Sequence, residues 1–429
     1  MEQIKYFTSS AYSLELQYLL DIVSQSYAIS FVRVADQVEA HCTIGAEASD
    51  KVLFSPDLFD ALYAPTFDPK AIMGNGKAIM IVGQVDYLST IFFLVNCLQE
   101  FNATADERDH YGRFKSAASL QVKNQLLKEN YVQELIDKLI VSINPIFQKL
   151  KRNRKTRIFL SHDIDIVSGS LLQDTYWCVK KLKWMTAFEV VLKNVIQKPQ
   201  WLNMDRIMKI ESEYDFKSTF FWLAEAGHTI NGLKNSDYEI KGTKVLNEMK
   251  NIVDRGWYNG IHKSIGSTTF ASELEKLPKI VQSNRYHYLY FDVQRGMKEI
   301  NSAGLKFDSS IGWADCMGYR NSYGLPVQLF NVDERKPYAF VECPLTFMDT
   351  TYHFYQKKTA NQFAMDVISF VEKNSAECVL SLLFHNNYIS EYKFGDYLTA
   401  FKKILAYFYE NQFTCITQEE VVNEFYVKY

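Results

Sequence analysis

Apolar and polar positions in the second part of the chain follow two alternating periods. Short apolar runs, such as RIFLSHDIDIV at 157–167 and CVLSLLFHNN at 378–387, are typical of strands that are buried on both faces. Between such runs, apolar residues recur every three or four positions, as in VLNEMKNIVDRG at 245–256 and YLTAFKKILAYFYENQ at 397–412, and this spacing predicts helices. Repeated strand and helix units predict a parallel sheet, either open or closed into a barrel.

The first part of the chain has a less regular pattern. The segments at 13–27 and 131–152 have helical spacing, whereas ISFVRVA at 29–35 and AHCTIGA at 40–46 indicate short strands. The basic stretch KLKRNRKTR at 149–157 predicts a solvated linker, with a site for an anionic lipid or nucleotide as the alternative. We therefore expect a smaller α/β domain at residues 1–150 and a larger domain at residues 151–429.

Length and composition narrow the class of protein. A chain of 429 residues, 47% of them hydrophobic and 23% charged, is long enough for two or three globular domains. A net charge of −3 argues against a nucleic-acid partner, because proteins that bind nucleic acids usually present a basic field. Aromatic residues make up 15% of the chain, which fits either a sugar-binding cleft or ordinary core packing.

Cysteine usage and the N-terminal residues indicate a cytoplasmic protein. The seven cysteines are odd in number and form no Cys-x-x-Cys pair, as expected of free thiols in a reducing compartment. The N-terminus has polar residues throughout and no small-residue cleavage site, so it does not resemble a signal peptide. The most apolar window, at 87–101, is too short and too interrupted to span a bilayer. A peripheral place at a membrane stays open, and the sequence does not indicate the oligomeric state.

Residues that can bind a metal or move a proton follow five of the predicted strands. Because the carboxyl ends of parallel strands share one edge of a sheet, where function gathers, these residues are expected to lie together. They are His162, Asp163 and Asp165 on the first strand, His262 and Ser264 on the next, Arg285 and His287, then Asp349, and finally His385, Asn386 and Asn387.

The acids Asp163 and Asp165 are two residues apart on a predicted strand, so they point to the same face. Two carboxylates this close repel each other unless a cation lies between them or one holds a proton. One acid can therefore bind a metal while the other takes a proton from a water molecule. Imidazole and carboxylate ligands suit zinc, with cobalt or nickel as alternatives.

Four short segments, LSHDID, GIHKS, RYHY and LLFHNN, together resemble the polysaccharide deacetylase family, also called the NodB-homology domain or carbohydrate esterase family four. The resemblance implies a distorted (β/α) barrel in residues 151–429. It also implies that Asp163 is the catalytic base, that Asp165 and His262 are metal ligands, and that His385 is the general acid for the leaving amine.

The chain departs from the family pattern at the H-S-x-x-H motif. Ser264 is one position later than expected, and Gly266 replaces the second histidine. RYHY lies where the family has Arg-Pro-Pro-Tyr, so we expect His287 to supply the third ligand. By the same resemblance, Arg285 orients the base and the backbone N–H of Tyr288 helps to hold the oxyanion.

Three longer stretches, at 109–114, 306–332 and 342–352, are similar to a bacterial subgroup of this family that has an extra N-terminal domain. Within them, Arg113 and His110 either bridge the two domains or are merely solvated. Trp313 and Tyr319 either form a sugar-stacking wall or pack in the core.

The function implied is metal-dependent removal of an N-acyl group, acetyl first among them, from a sugar of a cell-surface polysaccharide or its cytoplasmic precursor. The partner is then an N-acylated sugar or glycan, including a lipid-linked one. Two alternatives stay open: hydrolysis of another C–N bond, such as a sugar formamide, and an inactive protein that binds glycan or assists its assembly.

Overall fold

In the computed structural model, residues 2–428 are described except positions 48, 75, 82, 230, 267, 279 and 280. Both parts of the described chain combine strands and helices. The strands are β1 (Glu2–Phe7), β2 (Ile29–Arg33), β3 (Cys42–Gly45), β4 (Val52–Leu53), β5 (Met80–Ile81), β6 (Gln84–Val85), β7 (Arg157–Ile164), β8 (Ser218–Leu223), β9 (Tyr258–Lys263), β10 (Ser283–Tyr286), β11 (Phe307–Asp308), β12 (Phe330–Asn331), β13 (Lys336–Pro337), β14 (Val341–Glu342), β15 (Leu345–Met348), β16 (Val379–Leu383) and β17 (Thr414–Cys415). The helices are α1 (Ser13–Ser26), α2 (Asp57–Leu62), α3 (Pro69–Met73), α4 (Tyr87–Val95), α5 (Leu120–Lys123), α6 (Tyr131–Ile143), α7 (Ser170–Lys180), α8 (Trp184–Ile196), α9 (Met204–Ser212), α10 (Thr243–Asp254), α11 (Phe270–Leu274), α12 (Val293–Ser302), α13 (Ala360–Lys373), α14 (Gly395–Glu410) and α15 (Gln418–Phe425).

The N-terminal region is a small α/β unit, as the sequence predicts. Four of its strands form a parallel sheet in the order β2-β1-β3-β4, and β5 and β6 form a separate antiparallel pair. Helix α6 turns an unbroken apolar face inward, because Val132, Leu135, Ile136, Leu139 and Ile140 recur at helical spacing and are all buried. Helices α1 and α4 contact the same core.

The C-terminal region is a curled parallel sheet in the order β14-β11-β10-β9-β8-β7-β16-β15, with β17 added beside β7. Strands β14 and β15 are joined by only Cys343 and Pro344, yet they lie at opposite ends of this order. The sheet must therefore curl until its edges meet, and the N–H of Leu345 donates to the carbonyl of Ile311 at 2.9 Å across the seam. The expected distorted barrel is confirmed.

The structure corrects the prediction of a single strand at the point where the two edges of the sheet meet. FVECPLTFMDT at 340–350 predicts a single strand, but the structure divides it into β14 and β15. Pro344 lies between the two strands, and proline has no N–H to donate to a strand ladder. The division sends the chain from one edge of the barrel to the other.

The two regions share one hydrophobic core and several buried polar contacts. Arg320, which is buried in the barrel region, donates from Nε to Oε1 of Glu100 in the N-terminal region at 2.9 Å. The Tyr18 hydroxyl donates to the carbonyl of Gln328 at 2.9 Å. The N-terminal region is therefore packed against the barrel in a fixed position.

The basic stretch at 149–157 is not a free solvated linker. Lys151 forms ion pairs with Asp137 at 2.7 Å and Glu377 at 2.8 Å, one acid from each region. Arg154 donates to the carbonyl of Gln25 at 2.6 Å. The prediction failed because Glu377 and the carbonyl of Gln25 are distant in the sequence from the cations that they bind.

Candidate metal centre and active site

Strand β7 brings two acids to the carboxyl end of the barrel. The side chain of His162, between Ser161 and Asp163, points to the other face, where its ring nitrogens contact the carbonyl of Phe384 at 2.8 Å and Glu211 at 2.7 Å. Asp163 is buried, and Asp165 lies just beyond the strand. The alternation of the pleat therefore places the two acids together, as expected.

Asp165, His262 and His287 converge beside this strand. Each offers one ligand atom, and the three atoms lie within 4.8 Å of one another. Nε2 of His262, on β9, is 3.4 Å from Oδ1 of Asp165, and Nε2 of His287, just after β10, is 3.5 Å from Oδ2. The structure therefore brings together the three residues expected to bind a metal.

The ligand atoms of Asp165, His262 and His287 fit a divalent cation. Oδ1 of Asp165 and Nδ1 of His287 are buried and have no hydrogen-bond partner within the described residues. Leaving such groups unpaired costs free energy, and a cation would offset that cost at the carboxylate. Nδ1 of His262 lies 2.8 Å from the carbonyl of Arg285, which is the arrangement that fixes the ring of a metal-binding histidine.

The ionisable side chains of the group shift the pKa values of one another. Burial would raise the pKa of Asp165, but His287 and His262 hold it well below its usual range. Burial would lower the pKa of His262, but the Asp163 and Asp165 carboxylates outweigh it, so this pKa is raised. At His287 burial dominates and lowers the pKa. Asp165 is thus kept ionised, as a metal ligand must be.

Asp163 is held beside the triad by an arginine. Nη1 of Arg285 donates to Oδ1 of Asp163 at 2.9 Å and to Oγ of Ser161 at 2.8 Å, and Nε donates to the carbonyl of Ser309 at 2.8 Å. Arg285 is fully buried. The second oxygen, Oδ2 of Asp163, lies 3.4 Å from Nε2 of His262. One oxygen is therefore fixed, and the other faces the candidate metal site.

His385 closes the opposite side of the site and is paired with Asp349. Its Nδ1 is 2.7 Å from Oδ1 of Asp349, and its backbone N–H donates to Oδ2 at 2.7 Å. Burial would lower the pKa of His385, but Asp349 outweighs it and raises the pKa to about 9. Nε2 points toward Asp165, whose Oδ2 is 3.6 Å away. Asp349 is one of the predicted strand-end acids, but the sequence indicates no role for it.

Tyr288 lies beside the triad and contacts the N-terminal region. Its backbone has a φ of 59°, and its ring centroid is 4.1 Å from that of His287. On the other side its ring stacks on Tyr111 at 5.5 Å, and its carbonyl accepts a hydrogen bond from Arg113 at 2.6 Å. Of the two alternatives for Arg113, bridging is therefore confirmed. The N-terminal region forms part of the rim of the site.

Replacement of Arg113 should test this bridge. Its guanidinium is 5% exposed and also binds Asp109 at 2.7 Å and the Tyr355 hydroxyl at 3.0 Å. Arg113→Ala should lower the free energy of unfolding by about 3 kcal/mol in urea titrations, because it breaks a buried, charge-assisted network. Lys138→Ala is the matched control: Lys138 pairs with Glu134 at 2.6 Å on the exposed face of α6, within one region, and its loss should cost less than about 1 kcal/mol. Equal small losses in both variants would contradict the bridge.

The two aromatic candidates for a sugar-stacking wall have different surroundings. Tyr319 is 1% exposed and packs on Phe370 in the core, so it cannot form such a wall. Trp313 is also buried but lines a cavity of about 270 Å³ between the N-terminal loop and the barrel, together with Arg113 and Leu289.

Comparisons with known proteins cover the two regions separately. Residues 5–148 match a family of unknown function, DUF7033. No curated protein matches the chain. Three solved structures illustrate its structural neighbours. They are the polysaccharide deacetylase Bc1974 of Bacillus cereus (14% identity, 62% of this chain and 94% of that one, TM-score 0.29), the chitin deacetylase of Colletotrichum lindemuthianum (11%, 63% and 90%, TM-score 0.34) and a CE4 family pseudoenzyme from Bacillus anthracis (11%, 64% and 68%, TM-score 0.29). At these identities and TM-scores, none of them assigns a role to a residue of this chain.

Proposed function

We propose that this protein is a metal-dependent hydrolase that removes an N-acyl group, acetyl first among them, from a sugar of a cell-surface polysaccharide or of its cytoplasmic precursor. One observation carries the proposal: the Asp165, His262 and His287 group has an arginine-bound acid, Asp163, on one side and an acid-paired histidine, His385, on the other. A base, a metal group and a proton donor in one place are the parts that amide hydrolysis needs.

Asp165, His262 and His287 are the residues that would hold the metal, with zinc preferred and cobalt or nickel as alternatives. When bound there, a divalent cation supplies Lewis acidity, which polarises an acyl carbonyl and lowers the pKa of a water molecule toward about 7. The division of the chain into a domain at 1–150 and a barrel domain at 151–429 is part of the same proposal.

The residues around the triad have complementary roles. Asp163 takes a proton at Oδ2 from the attacking water, while Arg285 fixes Oδ1 and so orients the carboxylate. The N–H of Tyr288 donates to the acyl oxygen as that oxygen gains negative charge. His385 gives the proton on Nε2 to the departing nitrogen, and Asp349 holds the ring from Nδ1. A C–O bond forms, the amide C–N bond breaks, and a carboxylate and an amine leave.

Metal content tests the proposal first. Protein purified without added metal should carry close to one zinc, cobalt or nickel ion per chain by mass spectrometry. Asp165→Ala, His262→Ala and His287→Ala should each weaken metal binding by more than about 100-fold, because each removes a direct ligand. The control is His162→Ala, which removes a buried histidine that faces away from the site and should leave metal content unchanged.

Activity on amino sugars tests the reaction. The metal-loaded protein should release carboxylate from N-acetylated amino sugars, and a chelator should abolish this release. Faster release from N-formylated sugars would favour a formamide as the natural substrate. A folded, metal-loaded protein that hydrolyses neither class would refute the hydrolase and favour a glycan-binding role. A protein that takes up no metal would refute the metal site itself.

A further inference from the structure

Helices α7 and α8 form a hairpin whose outer surface is unusually apolar. Met185 is 83% exposed and Leu182, at the turn, is 75% exposed. On α8, Trp184, Phe188, Leu192 and Ile196 recur every four residues and are all exposed, so they form one stripe along the helix. Large contiguous apolar surfaces of this kind are rare on monomeric proteins and mark an interaction site.

The stripe is additional to the side of α8 that is already packed. Ala187 and Val190 are buried and form a small core with Cys178 of α7. Helix α8 is therefore apolar on its inner side and also on its outer side. Packing within the chain explains the apolar inner side. The apolar outer side requires contact with another molecule or with a lipid surface.

The charge of the hairpin indicates what its apolar outer side contacts. Residues 170–198 contain five lysines and two acids, whereas the whole chain has a net charge of −3. Of the acids, Asp174 is buried and Glu189 pairs with Lys193. Lys180, Lys181 and Lys183, at the turn, are exposed and have no ion pair within the described residues. The exposed side chains of Trp184 and of Tyr176 on α7, with lysines around an apolar stripe, are typical of helices that lie in the headgroup region of a bilayer.

The hairpin is attached to both walls of the candidate active site. It begins five residues after Asp165, and the loop between them is fixed because Asp237 accepts hydrogen bonds from the N–H groups of Val167 at 2.7 Å and Gly169 at 2.8 Å. On α7, Asp174 accepts a hydrogen bond from the N–H of Lys393 at 3.2 Å, in the segment that follows His385. A surface bound by the hairpin would therefore lie beside the site.

We propose that the α7–α8 hairpin docks the protein on an anionic lipid bilayer, with α8 lying in the plane of the membrane. None of the helices formed by the described residues has the length and apolar character to cross a bilayer. If the proposed function also holds, docking deepens it by selecting the substrate class: an N-acylated sugar attached to a membrane lipid. The docking itself needs no catalytic activity.

Vesicle sedimentation tests the docking. The full-length protein should sediment with vesicles of phosphatidylglycerol and phosphatidylcholine and much less with phosphatidylcholine alone. The double variant W184S/F188S should bind the anionic vesicles more than about tenfold more weakly, because two large side chains no longer enter the lipid. Each of Lys180→Gln, Lys181→Gln and Lys183→Gln should weaken binding by about fivefold at low salt. The matched control is Tyr409→Ser, which removes a similarly exposed aromatic side chain from α14 and should bind like wild type.

Light scattering of the same proteins in solution separates a lipid surface from a protein partner. A wild-type monomer that binds anionic vesicles, with the stripe and lysine variants impaired, supports docking. The proposed docking would be overturned if the wild-type protein did not bind the vesicles, or if the stripe variants bound as well as wild type. So would a wild-type dimer that W184S/F188S converts to monomers, because the stripe would then be a subunit interface. Docking in a protein without hydrolase activity would refute only the proposed function.

Discussion

Asp163→Asn should lower kcat/KM for an N-acylated sugar by about 10²–10⁴-fold, the usual contribution of a general base. Asparagine keeps an oxygen for Arg285 but cannot accept the proton of the attacking water. Because Asp163 is not one of the three proposed ligands, metal content should stay close to that of wild type. The measurement is steady-state kinetics on metal-loaded protein, with mass spectrometry of the same samples.

In Asp163→Asn, a loss of folding stability must be separated from a loss of catalytic activity. The ion pair between Asp163 and Arg285 is buried, and breaking such a pair costs about 3–5 kcal/mol. His162→Asn is the matched control, since His162 is the adjacent residue on β7 and its own buried partner is Glu211. It should also lower the melting temperature, yet keep the activity per folded molecule. Equal kinetic losses in both variants would contradict the role of Asp163 as base.

Asp349→Asn should lower kcat by about 10⁴-fold with little change in KM, as expected when a catalytic histidine loses the carboxylate that orients it. Asp349 raises the pKa of His385 to about 9, so the imidazole keeps its proton at neutral pH. Without the carboxylate this pKa falls, and His385 is deprotonated at lower pH. The basic limb of the pH profile of kcat/KM should therefore move to lower pH, which a merely structural defect would not cause.

Asp366→Asn serves as the control for that experiment. Asp366 accepts a hydrogen bond from the Tyr352 hydroxyl at 2.7 Å, near the same segment of chain but outside the site. Its substitution should leave both kcat and the basic limb in place. If Asp349→Asn leaves the basic limb unmoved, Asp349 does not set the protonation of His385.

The fold class could be predicted because its signals are local. Each of the runs at 157–164 and 379–383 is apolar enough to indicate a buried strand, and intervening helical spacing indicates parallel connections. The division of 340–350 into β14 and β15 was not predicted, because barrel closure depends on where two distant edges meet. A proline within a predicted strand was the available signal.

The candidate site could likewise be predicted only where its signals are local. Asp163, Asp165, His262 and His385 lie at strand ends, and topology brings strand ends together. The role of Asp349 could not be predicted, since it depends on a contact with His385, 36 residues away in the sequence. For Arg113, bridging was one of two predicted alternatives, and the contact that decides between them is with Tyr288, 175 residues away. The acid at the end of β15 was a signal for the first, whereas no local feature decided between the two alternatives for the second.

The order in which the chain is synthesised separates the proposed metal ligands from the proposed proton donor. The three proposed ligands all leave the ribosome by residue 287, whereas His385 follows about a hundred residues later. Strand β7, which opens the barrel, pairs with β16 only after a separation of 222 residues. Until then one edge of β7 lacks its partner, and such an edge invites pairing with other chains. A nascent or truncated chain thus holds the complete set of proposed ligands while it still lacks the proposed proton donor, and the proposed hydrolysis requires the last part of the barrel.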